Sequence, residues 1–397
     1  MPRFPAPVSD DAVSPLRHRP FVLMLLAAVG TFGGFALLLP VVPLWTVHQG
    51  AGSVVAGAST GVFMASTVLA QFAVPAFVRA FGYRAGLVLG ALLIGVPTPL
   101  LAVFASAPAI LAVSFVRGLG FGLLTVCASA LIAELLPSAS VARGSGLYGL
   151  AVGVPQLVGL PSGTAIAENW GFVPVFILAT ALPLVALLPT LGVPRSRPKD
   201  DSLRGGLRGA LDVAGTTWRP WLPMLAVSTG YGALATFLPI VLDPSTAAVA
   251  LLVAPGAAML TRWLAGHYSD RTAAPGRMLL PALFAGGAGL LGFALVSESG
   301  GSTAGAVVAV VSVAVFGVGF GVVQNDALVA MFARTPAAQA SVAWNVAFDA
   351  GQGLGAVAVG ALISATTVGT SFTLLAVAAL AVLPVAWQAG RAPRRSG

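Results

Sequence analysis

The chain has 397 residues, and its composition is that of a protein adapted to an apolar environment. Apolar residues make up 57% of it and charged residues only 8%, whereas a soluble globular domain usually carries about a quarter charged residues. The composition therefore excludes an ordinary soluble fold. The net charge of +8 would by itself suit nucleic-acid binding, but the basic residues fall between apolar stretches. We therefore expect a lipid bilayer, and no nucleic acid, as partner.

Twelve apolar windows are long enough to cross a bilayer, because a spanning helix needs roughly 20 mostly apolar residues. They predict an all-α integral membrane protein, and an even number of crossings puts both termini on one side. The windows cover residues 21–45, 53–77, 87–106, 109–135, 144–166, 171–192, 219–242, 246–265, 278–297, 304–331, 341–364 and 368–388.

The charged residues between the windows distinguish the two sides of the membrane. Arg79, Arg143 and Arg334 belong to a set of basic residues that follow even-numbered windows. The alternate loops have no Lys or Arg and carry acidic residues instead, among them Glu168 and Asp243. The positive-inside rule therefore places both termini in the cytoplasm and predicts a multi-pass protein of the bacterial inner membrane.

A polar segment rich in proline, glycine and charge divides the windows into two groups of six. Such residues indicate a linker rather than a further span. Within it, Leu203, Leu207 and Leu211 recur at four-residue spacing, which fits a short interfacial helix as well as a solvated linker. The predicted organisation is a cytoplasmic tail, a first six-helix bundle, a cytoplasmic linker, a second six-helix bundle and a second tail, at residues 1–20, 21–193, 194–218, 219–388 and 389–397.

The two groups of six share a glycine pattern. The sequence Gly-Leu-Gly-Phe-Gly-Leu that starts at Gly118 returns as Gly-Val-Gly-Phe-Gly-Val at Gly317, 199 residues later. Two six-span repeats place a transport path at their interface and permit alternating access, in which one half rocks against the other. The sequence therefore predicts a carrier with two pseudo-symmetric halves.

The segment after the eighth window resembles a loop of the major facilitator superfamily. The family pattern is G-x-x-x-D-R-x-G-R, and three extra residues precede the second glycine in this chain. The resemblance implies the major facilitator fold and a conformational latch, in which the glycines allow close helix packing and a turn. The matching positions are Gly266, Asp270, Arg271, Gly276 and Arg277.

Three further segments are similar to motifs of twelve-span drug/proton antiporters. The first window contains Pro40 and Pro43 in a G-x5-P-v-x-P pattern, and the fifth places Pro155 in a near match to G-x-x-x-G-P-x-x-G-G. The fourth window has Arg117 directly before its glycine-rich face. The resemblance implies helix bends at the prolines, proton coupling at Arg117 and export of the substrate.

Charged side chains inside the apolar windows are candidate functional groups, because a charge near the bilayer centre costs at least roughly 2.5–3.5 kcal/mol on insertion scales. Arg117 either binds an anionic group, or tunes a nearby carboxyl, or serves helix packing. Asp349 is a candidate proton carrier, since loss of hydration favours its neutral form. The alternative is that Asp349 accepts a hydrogen bond from Asn345 or from another helix.

Other polar residues complete the list of candidates for proton coupling or for a substrate cavity. Asp326 and Gln324 lie near the cytoplasmic end of the tenth window, where a substrate contact or a gate is expected. Gln71, Gln156 and Asn345 could add hydrogen bonds to a cavity, although packing between helices is the simpler explanation for each. The full set is Arg117, Asp349, Asn345, Asp326, Gln324 and Gln156.

These patterns predict a secondary transporter rather than an enzyme. No Walker loop is present, the single cysteine is Cys127, and the histidines lack metal-ligand spacing, so we expect no cofactor and no metal. The favoured function is proton-coupled efflux of a small hydrophobic or amphipathic compound by a monomer. Transport of a hydrophilic solute such as a sugar or an organic acid is the alternative. A membrane enzyme or receptor is disfavoured, since clustered catalytic residues and a soluble sensing domain are missing.

Overall fold

The computed structural model of the chain is a bundle of helices. It describes residues 14–197, 206–272, 275–297 and 302–391, and these contain no β-strand. Twelve helical spans in this part of the chain are long and apolar enough to cross a membrane. Spans 1 to 12 comprise Arg19–His48, Ser53–Phe81, Tyr83–Val103, Ala107–Leu135, Arg143–Trp170, Phe172–Leu191, Val213–Val241, Pro244–Ser269, Leu279–Val296, Thr303–Phe332, Gln339–Ala365 and Val368–Ala389.

Each predicted window coincides with one span, and the differences lie in details of the helices. Spans 3, 6 and 12 are each interrupted once, whereas the helices of spans 5, 7, 8 and 11 extend beyond the apolar part. The interrupted spans consist of Tyr83–Gly95 with Leu100–Val103, Phe172–Val185 with Leu187–Leu191, and Val368–Leu380 with Leu383–Ala389. The extended helices are Ser138–Trp170, Gly206–Val241, Pro244–Thr272 and Ala337–Ala365, and a short 3₁₀ helix, Pro15–Arg17, precedes span 1.

Two helices reach into segments that were predicted to be loops. The helix of span 7 begins at Gly206, within the predicted linker 194–218, and the helix of span 8 continues past Gly266 to Thr272. Continued helix keeps the backbone N–H and C=O groups paired as the chain leaves the apolar layer. Residues 1–13, 198–205 and 392–397 of the predicted tails and linker lie outside the described residues.

The predicted helix-bend prolines all lie inside continuous helices. Pro40 and Pro43 belong to the helix of span 1, and Pro155 belongs to that of span 5. Each proline removes one backbone N–H from the helical hydrogen-bond ladder. These three positions therefore weaken the helices locally without ending them.

Glycine and aspartate define two kinds of helix boundary. Gly82 and Gly171, with φ of +84° and +86°, are the single residues that separate span 2 from span 3 and span 5 from span 6. This backbone conformation favours glycine, so the chain can reverse within one residue. At the start of span 8, Asp243 accepts hydrogen bonds from the Ser245 hydroxyl at 2.6 Å and the Thr246 N–H at 3.0 Å. These donors lower the pKa of Asp243 to about 2.

The predicted repeat is visible in how the helices pack. In the first half, spans 1–6, span 4 lies against spans 2 and 3, and in the second half, spans 7–12, span 10 lies against spans 8 and 9. Gly118 of span 4 packs on the backbone of Phe63, and Gly317 of span 10 packs on that of Ala254. The glycines are 199 residues apart and their partners 191 residues apart. The same helix contact is therefore built twice.

The halves meet along two seams. Span 2 packs against span 11, span 5 packs against span 8, and spans 1 and 7 meet between the two seams. Because the number of spans is even, Arg19 and Ala389 lie on the same side of the bundle. We call this the arginine-rich side, since Arg79, Arg143 and Arg334 are also at its helix ends. We call the other end of the bundle the opposite side.

Spans 2 and 11 pack tightly against each other at their opposite-side ends. The Ser53 hydroxyl donates a hydrogen bond to the Gly360 carbonyl at 3.0 Å. One turn further on, Gly57 packs directly on the backbone of Ala356, where even a methyl group would find no space. Backbone contact of this kind is typical of small residues between membrane helices.

The seam between spans 5 and 8 is looser and widens towards the arginine-rich side. A Cβ atom built on Gly153 would lie 3.5 Å from the Met259 sulfur, which is ordinary contact. Gly149 and Gly146 follow on the same helix face, and a Cβ on either would have no neighbour within 4 Å. Along this seam the halves therefore touch towards the opposite side and separate towards the arginine-rich side.

Gly321→Ala should destabilise the fold by about 1–3 kcal/mol, because the backbone carbonyl of Ala258 already occupies the space that the new methyl group needs. The matched control is Gly149→Ala, also in mid-helix but facing open space, which should be neutral or stabilise by up to about 1 kcal/mol. Thermal unfolding of the purified protein in detergent measures both. Equal melting temperatures for the two variants would contradict the packing described here.

Candidate functional site

Three side chains that carry a formal charge at neutral pH are buried in the described part of the chain: Arg117, Asp326 and Asp349. All three were candidates from the sequence. Each belongs to a membrane span, where an ion lacking partners is costly. The groups that surround each charge therefore indicate what it does.

Arg117 is buried about 15 Å from the opposite-side end of span 4, at 1.5 Å per residue, and its partners satisfy it only in part. Its Nε donates to the Ile94 carbonyl of span 3 at 3.3 Å, and its guanidinium carbon lies 5.6 Å from the centre of the Phe63 ring. Its Nη2 atom is buried and makes no hydrogen bond. The positive charge of Arg117 therefore lacks a matching anion among the described residues.

A small cavity adjoins Arg117 between spans 1, 2 and 4. Its polar lining consists of Arg117 and the hydroxyl-bearing residues Ser59, Thr60 and Ser114, and the remaining lining is apolar. The cavity has room for about one water molecule. The apolar lining is Phe35, Leu38, Leu39, Val42, Pro43 and Phe63.

Asp349 is bound by a side chain of the other half. Gln71 of span 2 donates from Nε2 to Asp349 Oδ2 of span 11 at 2.6 Å. Both side chains are buried, and the bond lies in the seam between spans 2 and 11. The carbonyl oxygen Oε1 of Gln71 is also buried and has no hydrogen-bond partner. The hydrogen-bond donor expected for Asp349 was either Asn345 or a side chain of another helix. The structure shows the second.

Asn345 and Gln156 make hydrogen bonds only within their own helices in the described structure. The Asn345 amide donates to the Ser341 carbonyl at 2.8 Å, and the Gln156 amide donates to the Val152 carbonyl at 3.3 Å. Both side chains are half-buried. Neither is brought into contact with Arg117 or Asp349 by these bonds.

Gln324 belongs to a cluster in the second half that joins spans 8, 10 and 11. Arg262 donates from Nη1 to Gln324 Oε1 at 3.0 Å, and the Trp344 indole N–H donates to the Gln324 carbonyl at 2.9 Å. The Arg262 guanidinium carbon lies 5.2 Å from the Trp344 ring centre. A stack of rings continues from Trp344 through Phe348 to Phe320. Unlike Arg117, Arg262 is thus held by an amide oxygen and an aromatic face.

Asp326 holds the loop between spans 8 and 9. Its two carboxylate oxygens accept the backbone N–H groups of Gly276 at 2.9 Å and Met278 at 2.7 Å. In the same half, Arg334 donates a hydrogen bond to the Ala389 carbonyl at the end of span 12, at 2.7 Å. Asp326 therefore fixes the start of span 9 rather than facing the cavity beside Arg117.

The predicted latch residues lie around this contact. Gly276 adopts φ of +83°, which the turn requires, and Arg277 is exposed. Gly266 lies in the helix of span 8, and a Cβ there would lie 3.7 Å from Asn325 Oδ1. Asp270 and Arg271 belong to the same helix, and their side chains lie outside the described part of the structure.

Two residues of these clusters have contacts that the sequence did not specify. Gln71 was expected to pack or hydrogen-bond between helices, and its bond to Asp349 is such a contact, but nothing local in the sequence identifies a partner 278 residues away. Arg262 was counted among the basic residues that flank the loop after the eighth window, although it lies inside the window 246–265. The criterion that selected Arg117, a charge within an apolar window, selects Arg262 as well.

Comparison with known proteins agrees with this architecture. The sequence model of the Major Facilitator Superfamily matches residues 24–356. The chain belongs to the major facilitator superfamily. Membership makes it a multi-pass membrane transporter rather than an enzyme, and it agrees with the fold predicted from the twelve windows.

Solved structures of other transporters have the same fold. The nucleoside transporter NupG superposes with a TM-score of 0.72 at 12% identity, covering 94% of this chain and 100% of NupG. A POT family transporter in complex with a thioalcohol-conjugated peptide gives 0.74 at 14% identity, covering 92% and 95%. At these identities the similarity concerns the fold alone.

Asp326→Ala should destabilise the protein by about 1–3 kcal/mol, because one buried and one partly buried N–H group lose their acceptor. Asp326→Asn keeps one acceptor oxygen and should be less harmful. Thermal unfolding in detergent provides the measurement, with the exposed Glu168→Ala as a control that should change stability by less than about 0.5 kcal/mol. A neutral result for Asp326→Ala would show that the loop does not depend on this carboxylate.

Proposed function

We propose that this major facilitator is a proton-coupled antiporter that exports a small hydrophobic or amphipathic organic compound by alternating access. The hydrogen bond from Gln71 to Asp349 carries the proposal. It places a buried carboxyl, with a neutral partner, at the interface that must move. A proton can reach such a group only when movement of the halves admits water, which couples proton exchange to the conformational change.

The Gln71 amide can serve both protonation states of Asp349. As a carboxylate, Asp349 accepts the hydrogen bond that the structure shows. As a carboxylic acid, it could donate to Gln71 Oε1 after the amide turns over, and that oxygen has no other partner. The charge-assisted bond is the stronger of the two. Protonation therefore changes the strength of the contact between spans 2 and 11.

Asp349 suits proton carriage better than Asp326 does. Two backbone N–H groups bind Asp326, and they stabilise its ionised form at a fixed place in one half. Asp349 instead bridges the halves and has one neutral partner. We assign Asp326 and the neighbouring Gly276 turn to the conformational latch.

The looser seam between spans 5 and 8 supports the proposed export. It separates towards the arginine-rich side, which the positive-inside rule assigns to the cytoplasm of a bacterial cell. In the proposed cycle, a conformation open to that side collects the compound. Reporter tags on the two termini test the orientation, and either tag outside the cytoplasm would overturn it.

The lining of the cavity favours a compound with an apolar body. Phe35, Leu38 and Val42 contribute to a surface on which polar atoms come from only a few side chains. A sugar or another hydrophilic solute would need more convergent hydrogen-bonding groups. The nucleoside and peptide named for similar structures are hydrophilic, but similarity in fold does not transfer a substrate. We therefore retain the amphipathic class as the leading proposal.

Asp349→Asn should abolish uphill transport driven by a pH gradient and leave exchange of substrate across the membrane intact, because the asparagine cannot carry a proton. Proteoliposomes with an imposed pH gradient test this with labelled phenylpropyl compounds that are permanently anionic, permanently cationic or neutral. The exposed Glu168→Gln is the matched control. Undiminished pH-driven flux in Asp349→Asn would reject the role of Asp349, and accumulation of sugars alone would reject the substrate class.

A further inference from the structure

We infer that the cavity between spans 1, 2 and 4 is a binding site for the anionic group of an amphipathic organic monoanion, with Arg117 as its cation. This inference rests on the proposed function, because it specifies the charge of the transported compound. It adds a site and a ligand class that neither the fold nor the superfamily determines.

The first argument is the unmatched charge of Arg117. Its guanidinium has one weak hydrogen bond to Ile94 and the face of Phe63, while Nη2 is buried without a partner. No carboxylate contacts it in the described part of the chain. A buried cation without a counterion is costly, and one bound anion would remove most of that cost. A single unmatched cation favours a ligand with a single negative charge.

The second argument is the chemistry of the cavity. A guanidinium presents parallel N–H donors that match the two oxygens of a carboxylate. Ser59 and Ser114 line the same space, both residues are buried, and the Ser59 hydroxyl donates to the Ala56 carbonyl of its own helix at 2.7 Å. The rings of Phe35 and Phe63 complete the lining with apolar surface. The site thus combines a charged end with an apolar end, as an amphipathic anion does.

The third argument is the position of the cavity beside the moving interface. Thr60 lines it, and the Thr60 hydroxyl lies 3.1 Å from that of Thr236 in the other half. In the present arrangement there is room for about one water molecule, so a larger ligand needs the surrounding helices to move, among them span 2, which contacts the other half through Thr60. Binding of the anion at Arg117 is thereby tied to the movement that transports it.

The other two buried charges and the half-buried Arg262 offer no comparable site. Arg262 already has the Gln324 side-chain oxygen and the Trp344 ring as partners. Asp326 is saturated by backbone N–H groups, and Asp349 is bound by Gln71. Arg117 is therefore the charge in the described structure that a ligand would complete.

Equilibrium binding to the purified protein in detergent at constant pH tests this inference. The probes are benzoate, phenylacetate, 3-phenylpropanoate and 4-phenylbutanoate, each compared with its own uncharged amide by calorimetry and thermal stabilisation. At least one acid should bind about tenfold or more tightly than its amide, because the amide leaves the guanidinium unmatched. Arg117→Gln should lose this preference, and Arg117→Lys should keep part of it. The exposed Arg79→Gln should keep all of it.

Three results would overturn the inference: no acid of the series binds, acids and amides bind equally, or Arg117→Gln retains the preference for acids. If Arg117→Gln does not fold, the acid and amide comparison in the wild type and in Arg117→Lys still decides. Because binding needs no gradient, a selective anion site together with unchanged pH-driven flux in Asp349→Asn would overturn only the proton mechanism. The converse pair of results would overturn only the anion site.

Discussion

The cost of placing an ion in a low-dielectric interior organises this molecule more than any other constraint. For the three buried charges, contacts with neighbouring groups offset this cost to different degrees. Asp326 receives two backbone N–H groups, Asp349 receives one neutral amide, and Arg117 retains a nitrogen without a partner. A fully satisfied charge is suited to holding structure. A partly satisfied one is suited to accepting something else, such as a proton or an anion.

The internal repeat separates scaffold from chemistry. Glycine contacts recur at the same spacing in both halves, so the backbones of spans 2 and 4 pack as those of spans 8 and 10 do. The side chains at equivalent places differ. Arg117 corresponds to Phe316 at the offset of 199 residues, and Gln71 corresponds to Arg262 at the offset of 191. Two similar halves therefore form an asymmetric interface, with an acid and amide pair between spans 2 and 11 and with Arg117 at a cavity beside the contact of Thr60 with Thr236.

The fold was largely accessible from the sequence, because length and hydropathy decide whether a helix can span lipid. Arg117 and Asp349 were accessible too, since charges inside apolar windows stand out. The partner of Asp349 was not, because a glutamine in an apolar window looks the same whether it packs or bridges two halves. The sequence left open whether the segment that begins at Gly206 is helical, for a related reason: polar residues near a membrane surface fit both loop and helix. Pairing across halves is a tertiary property that local patterns do not contain.

Span 2 links the two functional groups mechanically. Its residues Thr60 and Phe63 border the cavity of Arg117, and Gln71, about 12 Å further along the same helix, binds Asp349. A helix transmits displacement along its axis because its backbone hydrogen bonds resist deformation. An anion that moves span 2 at Phe63 must therefore strain or release the bond between Gln71 and Asp349. In the proposed mechanism, proton and substrate act on one rigid element from two places, and each biases the same equilibrium between open and closed halves.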